Sequence, residues 1–133
     1  MSSSLFEVFS DESANGVAYK NRWLKRAIVT HLDNSGNATI ADLSRELNIS
    51  APKIITLVNE LMADGLLKDY GKVDSTGGRR ASLYGLVSEA AFFVGVDVKK
   101  YSINIGLLDF KKNLVTIREQ VPFLLENTQE SYE

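Results

Sequence analysis

The chain has 133 residues, of which 44% are hydrophobic and 24% charged, enough for one ordinary core or two small ones. It contains no cysteine, which excludes disulfides, a thiolate nucleophile and a cysteine-ligated zinc site. The first residues carry no positive charge, and the longest apolar run, Ala90–Val96, is too short to span a bilayer. We therefore expect a globular, cytoplasmic protein without a targeting or membrane segment.

Charge is distributed unevenly along the chain, although the net charge is only −2. Residues 17–87 carry ten basic and seven acidic side chains, a net charge of +3, whereas residues 1–16 and 88–133 are acidic. A basic centre between acidic flanks favours contact of that centre with phosphate groups. A solvated surface of mixed charge produces an imbalance of this size as well.

Residues 1–16 are rich in serine and acidic side chains, which predicts a mobile N-terminal arm. A helical period begins at Val17 and ends at the turn-forming residues 34–37. Its predicted buried positions are Trp23, Leu24, Ala27, Ile28 and Leu32. Basic residues lie mostly between these positions, so the first helix is predicted to be amphipathic.

Two shorter helices follow the first. Thr39 is predicted to cap one of them, with Asp42 in the capping-box position. After a turn at Asn48–Ile49, Ser50 is predicted to cap the other, with Pro52 in its first turn. The predicted buried positions are Ile40, Leu43 and Leu47 in the first of these helices, and Ile54 or Ile55, Val58, Leu61 and Met62 in the second, which ends at Gly65.

Strands dominate the rest of the sequence. Residues 66–73 and 81–86 predict a hairpin with the tip Ser75-Thr76-Gly77-Gly78-Arg79-Arg80. Residues 92–98, 101–109 and 114–121 then predict a three-stranded meander, and Thr128 resembles the N-cap of a helix that needs more chain than follows it. The predicted fold class is α+β: an arm (1–16), a winged helix-turn-helix (17–87), and a second domain that begins at residue 88.

A helix-turn-helix presents the first turn of its second helix to the DNA major groove, where short polar and basic side chains reach phosphates and base edges. The candidates in the second helix are Ser50, Lys53, Thr56 and Asn59. Asn59 has the groups to pair with adenine, and Lys53 with guanine or a phosphate. The competing interpretation is a capped surface helix with solvated polar residues.

The hairpin tip is a second candidate for DNA contact. Gly77 and Gly78 allow close backbone approach, and Arg79 and Arg80 suit a narrow, A·T-rich minor groove. A solvated hairpin loop is the alternative, which the preceding helix pair makes less favoured.

The segment from Leu61 to Val87 resembles the start of the ROK family of repressors, open reading frames and sugar kinases. The resemblance is carried by Gly65-Leu66-Leu67, by the Gly77-Gly78-Arg79-Arg80 tip, by Leu83-Tyr84-Gly85-Leu86, and by Val94-Gly95-Val96-Asp97 after the segment. In the repressor branch, a winged helix-turn-helix precedes an actin- or ribonuclease H-like sugar-kinase domain. The resemblance implies a transcriptional regulator, expected to be a repressor of sugar-utilisation genes. It also implies double-stranded DNA as a partner, self-association, and a sugar effector where the remaining C-terminal domain is present.

Two departures from the family pattern bear on this expectation. Kinase members turn after the first strand through Asp-x-Gly-Gly-Thr, whereas here Asp97 is followed by Val98-Lys99-Lys100-Tyr101, so the phosphate cradle is lost. Ile55 and Thr56 stand where many relatives carry Ser-Arg. The alternatives are the front part of a ROK sugar kinase, or a winged helix that binds protein.

No catalytic, cofactor-binding or metal-binding residues are predicted. His31 is the only histidine, and a role at the edge of the core or at the C-terminal dipole of its helix is favoured over a ligand or base role. The aromatic residues Trp23, Tyr70 and Tyr84 are interpreted as core rather than as stacking platforms. We therefore expect a protein that is not an enzyme.

Overall fold

The computed structural model describes residue 8 and residues 16–74 and 80–124. The predictions for the N-terminal arm, the hairpin tip up to Arg79, and Thr128 fall almost entirely outside these residues. The chain divides into two compact units, Met1–Ala90 and Ala91–Glu133. Within the described residues, no helix is both long and apolar enough to cross a membrane.

Helix α1 spans Val17–Ser35 and buries Leu24, Ile28, Val29 and Leu32 against the rest of the first unit. Trp23 is 60% exposed, so the prediction that it belongs to the core is wrong. The apolar stripe of α1 is centred on Leu24 and Ile28, and a 100° rotation per residue turns the neighbouring Trp23 outward. Trp23 instead borders an open groove of about 440 Å³, which His31 and Leu47 also line.

Helix α2 spans Ile40–Leu47, and its N-terminus has the predicted capping box. The Thr39 Oγ1 accepts a hydrogen bond from the Asp42 amide, while an Asp42 carboxylate oxygen accepts from the backbone N–H of Thr39. Leu43 is fully buried, whereas Ile40 and Leu47 are half-buried. The helix ends at Asn48, whose left-handed backbone (φ 53°) turns the chain toward the next helix.

Helix α3 spans Ala51–Ala63, with Pro52 in its first turn as predicted. Ile54 is fully buried and Ile55 is 46% exposed, which resolves the choice between them. The remaining buried residues are Leu57, Val58 and Leu61. Glycine ends the helix as expected, since Gly65 has a φ of 75° that other residues rarely adopt.

Strands β1 (Leu67–Asp74) and β2 (Arg80–Leu86) form the predicted antiparallel hairpin, with a bulge between Asp69 and Lys72. The loop between α1 and α2 pairs with β2 through an isolated antiparallel bridge, in which Ala38 and Tyr84 exchange two backbone hydrogen bonds of 2.9 and 2.8 Å. A Cβ at Gly85 would overlap the Asn37 side chain, so glycine permits this close approach. The hairpin is thereby tied directly to the helices.

The second unit contains the predicted antiparallel meander, in the order β3 (Phe92–Val98), β4 (Ser102–Asp109) and β5 (Leu114–Pro122). The register places three apolar pairs on one face of the sheet: Val94 opposite Leu107, Val96 opposite Ile105, and Val98 opposite Ile103. All seven residues of β3 are exposed within the chain. Within the described residues of the second unit, no layer covers this apolar face.

Candidate nucleic-acid interface

Helix α3 presents one continuous exposed face. Pro52, Thr56, Asn59 and Ala63 recur at intervals of three and four residues, and all four are exposed together with Ile55. The opposite side of the helix is held in the core by fully buried side chains. Apart from Ile55, the exposed residues are small or polar, so this face offers hydrogen-bonding groups with few bulky side chains in the way of a groove.

Ser50 and Thr56 occupy the first turns of this face. Ser50 is the exposed N-cap residue, but its side chain makes no capping hydrogen bond, in contrast to the expected role. The Thr56 hydroxyl donates to the Pro52 carbonyl oxygen at 3.1 Å. A helix N-terminus at the surface offers backbone N–H groups and a favourable dipole to an anion, and a phosphate is such an anion.

Lys53 does not share the exposed face with Thr56 and Asn59. It is half-buried on the flank that faces α1, where its Nζ donates to the Oδ1 of Asn21 at 2.7 Å. Sequence reasoning missed this contact, because the two residues are 32 positions apart and no local pattern connects them. Lys53 thus lies at the edge of the candidate interface, held by another helix.

A second lysine holds the same pair of helices farther along. The Lys25 Nζ lies 2.8 Å from the Glu60 carboxylate and 3.7 Å from the Asp64 carboxylate. The Lys25 side chain is only 18% exposed, so this ion pair is better shielded from solvent than an ordinary surface pair. It fixes α3 against α1 and thereby fixes the orientation of the exposed face.

The hairpin places Arg80 at the start of β2, where its side chain is 73% exposed. Its Nε lies 3.6 Å from the Asp74 carboxylate across the hairpin, a loose and exposed contact of the kind that contributes little to stability. Arg79 lies outside the described residues. Farther down the hairpin, the Lys68 ammonium stacks over the Tyr70 ring at 4.7 Å, and the Tyr70 hydroxyl donates to the Leu86 carbonyl oxygen.

The capping box of α2 perturbs one titrating group. Hydrogen bonds from the Thr39 side chain, then from the Thr39 backbone, lower the pKa of Asp42. A further ion pair with Arg45, at 2.9 Å, acts in the same direction. Asp42 therefore remains a carboxylate in the pH range in which most proteins work, and it stabilises the first helix of the helix-turn-helix.

The turn between β3 and β4 follows Asp97 and Val98 and joins the two strands as an antiparallel hairpin. The Lys99 amide donates to the Ser102 carbonyl oxygen at 2.8 Å, and the Asp97 carboxylate accepts from the Asn104 side chain at 3.2 Å. Among the residues that the structure describes, no three His, Asp or Glu side chains gather as a metal site.

Comparison with known proteins also identifies a winged helix-turn-helix in the first unit. Residues 24–68 match the family model described as winged helix-turn-helix DNA-binding. This segment runs from α1 through α2 and α3 to the start of β1, so it contains the whole exposed face of α3. No curated protein sequence matches the chain.

Ten chains of known structure match, among them the crystal structure of a ROK family transcriptional regulator described as a homolog of the E. coli MLC protein. The TM-score is 0.59 at 16% sequence identity, and the match covers 86% of this chain and 28% of that chain. This chain therefore spans little more than a quarter of the length of that regulator.

These matches define the class of fold. The chain has a winged helix-turn-helix followed by a three-stranded antiparallel sheet, as predicted, and its resemblance to ROK regulators is confirmed as a similarity of fold. The family model indicates that residues 24–68 form a DNA-binding domain.

Proposed function

We propose that this protein is a sequence-specific DNA-binding transcriptional regulator of the ROK type, a non-enzymatic repressor of sugar-utilisation genes. The observation that carries the proposal is the exposed face of α3, with Ser50, Thr56 and Asn59, within the segment that matches the winged helix-turn-helix model. A recognition helix requires this arrangement, with one side buried for stability and the other free to enter the major groove.

The remaining parts of the proposal rest on the resemblance to ROK regulators. They are the repressor role, a sugar effector bound by a sugar-kinase-like domain, and association of two or more copies in the cytoplasm. A dimer presents two recognition helices to two half-sites, which raises both affinity and specificity.

An electrophoretic mobility shift with fragmented genomic DNA, at low and moderate salt, tests the proposal. Phosphate contacts alone give binding that weakens steeply with salt, whereas base contacts retain selected fragments. We expect a subset of fragments to remain shifted at moderate salt, and sequencing them identifies the operator. Absence of any shift at low salt would contradict DNA binding, and retention of all fragments equally would contradict sequence specificity.

A further inference from the structure

Lys53 is the one candidate DNA contact in α3 whose side chain is held by a different helix. Its ammonium donates to the Asn21 amide oxygen at 2.7 Å, and both residues are half-buried. Asn21 lies in the second turn of α1, so the contact belongs to the packing of α1 against α3. A tertiary hydrogen bond at this place determines where the positive charge of Lys53 is held.

The chemistry of the acceptor is informative when it is compared with the other lysine at the same helix contact. Lys25 faces the carboxylates of Glu60 and Asp64, which neutralise its charge. Asn21 is a neutral amide, so it fixes the ammonium of Lys53 without neutralising it. Lys25 is therefore suited to joining the two helices, whereas Lys53 is suited to presenting a positive charge to a ligand.

Holding Lys53 in place reduces the entropy that is lost when it contacts DNA. A lysine side chain has four rotatable bonds and is among the most costly side chains to immobilise. An ammonium has three N–H donors, so a bond to Asn21 is compatible with donation to a phosphate oxygen. The contact lies in the first turn of α3, where the exposed helix N-terminus also favours an anion.

We propose that Asn21 is a positioning residue that holds Lys53 for contact with a DNA phosphate beside the N-terminus of α3. This inference rests on the proposed DNA-binding function. In this proposal, Asn21 of α1 raises the affinity for DNA only through its hydrogen bond to Lys53.

A double-mutant cycle on the full chain tests this role, with fluorescence anisotropy of a labelled duplex of mixed sequence over a salt series. Phosphate contacts do not require the operator, so this probe is sufficient. Lys53→Ala should weaken binding and lower the log–log salt slope by about 0.9. Asn21→Ala should weaken binding about threefold to tenfold, as expected for an unrestrained side chain, and should leave the slope unchanged.

Two further variants separate positioning from general damage to the fold. Asn21→Asp keeps the size of the side chain but neutralises Lys53, so affinity and salt slope should both approach those of Lys53→Ala. Asn34→Ala alters an exposed asparagine near the other end of α1 and should bind as the parent protein does. Thermal unfolding of every variant establishes that it is folded.

In the cycle, Asn21→Ala should have no further effect once Lys53 is alanine. An equal loss in both backgrounds would show that Asn21 acts on the fold alone and would overturn the inference. Unchanged binding by Lys53→Ala, or tighter binding by Asn21→Ala, would overturn it too, while leaving DNA binding intact. Failure of the parent protein to bind the duplex at low salt would instead refute the proposed function itself.

Discussion

The two N-caps of the helix-turn-helix are both hydroxyl residues, yet the structure predicts unequal costs for removing them. The Thr39 Oγ1 accepts from the Asp42 amide at 3.1 Å and donates to the Asp42 carboxylate at 2.7 Å. The Ser50 side chain makes no capping hydrogen bond at the start of α3. Thr39→Ala and Ser50→Ala therefore form a matched pair of variants, one with hydrogen bonds to lose and one without.

Thr39→Ala removes both side-chain bonds of the capping box and leaves only the backbone N–H of Thr39 bonded to Asp42, at 3.2 Å. Loss of a bonded N-cap costs about 1 kcal/mol in the free energy of unfolding, within a range of about 0.5–2 kcal/mol. For a domain of this size, that corresponds to a fall in melting temperature of about 4–8 °C. Ser50→Ala should stay within about 0.5 kcal/mol of the parent protein, like other exposed substitutions.

The pH dependence gives an independent check. The hydrogen bond from the Thr39 side chain is the largest cause of the lowered pKa of Asp42 in the folded chain. A lowered pKa means that the carboxylate contributes stability above its unfolded-state pKa and loses it as the pH falls through the folded-state pKa. The cost of Thr39→Ala should therefore be complete at neutral pH and should shrink on acidification through that window.

Thermal unfolding followed by far-ultraviolet circular dichroism measures both effects, since the described helices all lie in the first unit. The reasoning is refuted if Ser50→Ala costs as much as Thr39→Ala at neutral pH. It is equally refuted if the cost of Thr39→Ala is the same on both sides of the acid transition.

Two other predictions concern the hairpin and the sheet. Replacing both Arg79 and Arg80 by alanine should weaken binding more to DNA with A·T-rich flanks than to DNA with G·C-rich flanks, since a narrow minor groove has the stronger negative potential. Equal losses in a binding titration would limit the hairpin to phosphate contact. Ile105→Lys, at the centre of the apolar face of the meander, should impair self-association in a light-scattering concentration series. A strictly monomeric parent protein whose β4 amides are still protected from exchange would contradict the proposed association.

The features that could be predicted from the sequence are those set by local chemistry. Thr39 and Asp42 are three residues apart, so their capping box depends on a single turn of backbone and was correctly predicted. Pro52 and Gly65 similarly mark the start and end of α3 through their own backbone preferences. The three strands of the meander were likewise predicted, because each is a local run of strand-forming residues bounded by a turn.

The features that escaped prediction depend on contacts between distant segments. The bond from Lys53 to Asn21 exists only because α1 packs along one flank of α3. Trp23 has the spacing of a core residue, but Leu24 and Ile28 occupy the core, and Trp23 is left outside. Ser50 has the residue type of a cap, yet its side chain does not make the bond. Residue type and spacing therefore indicate which side chains can be buried or can cap a helix, but the packing of distant segments decides which of them do so.

The central claim is that the exposed face of α3 meets DNA, and a matched pair of charge substitutions tests it most directly. Asn59 is exposed on that face, and Thr30 is exposed on α1. Thr30 lies nine residues after Asn21, and at about 100° per residue this places it on the side of α1 turned away from α3. Asn59→Glu and Thr30→Glu therefore add the same negative charge at two differently placed surface positions.

The measurement is the affinity of each variant of the 133-residue chain for duplex DNA at low salt, by fluorescence anisotropy. The account predicts that Asn59→Glu weakens binding by about tenfold or more, because a carboxylate is forced against phosphates, whereas Thr30→Glu binds nearly as the parent protein does. Equal affinities for the two variants, whether both are unchanged or both are reduced, would contradict the placement of DNA on helix α3.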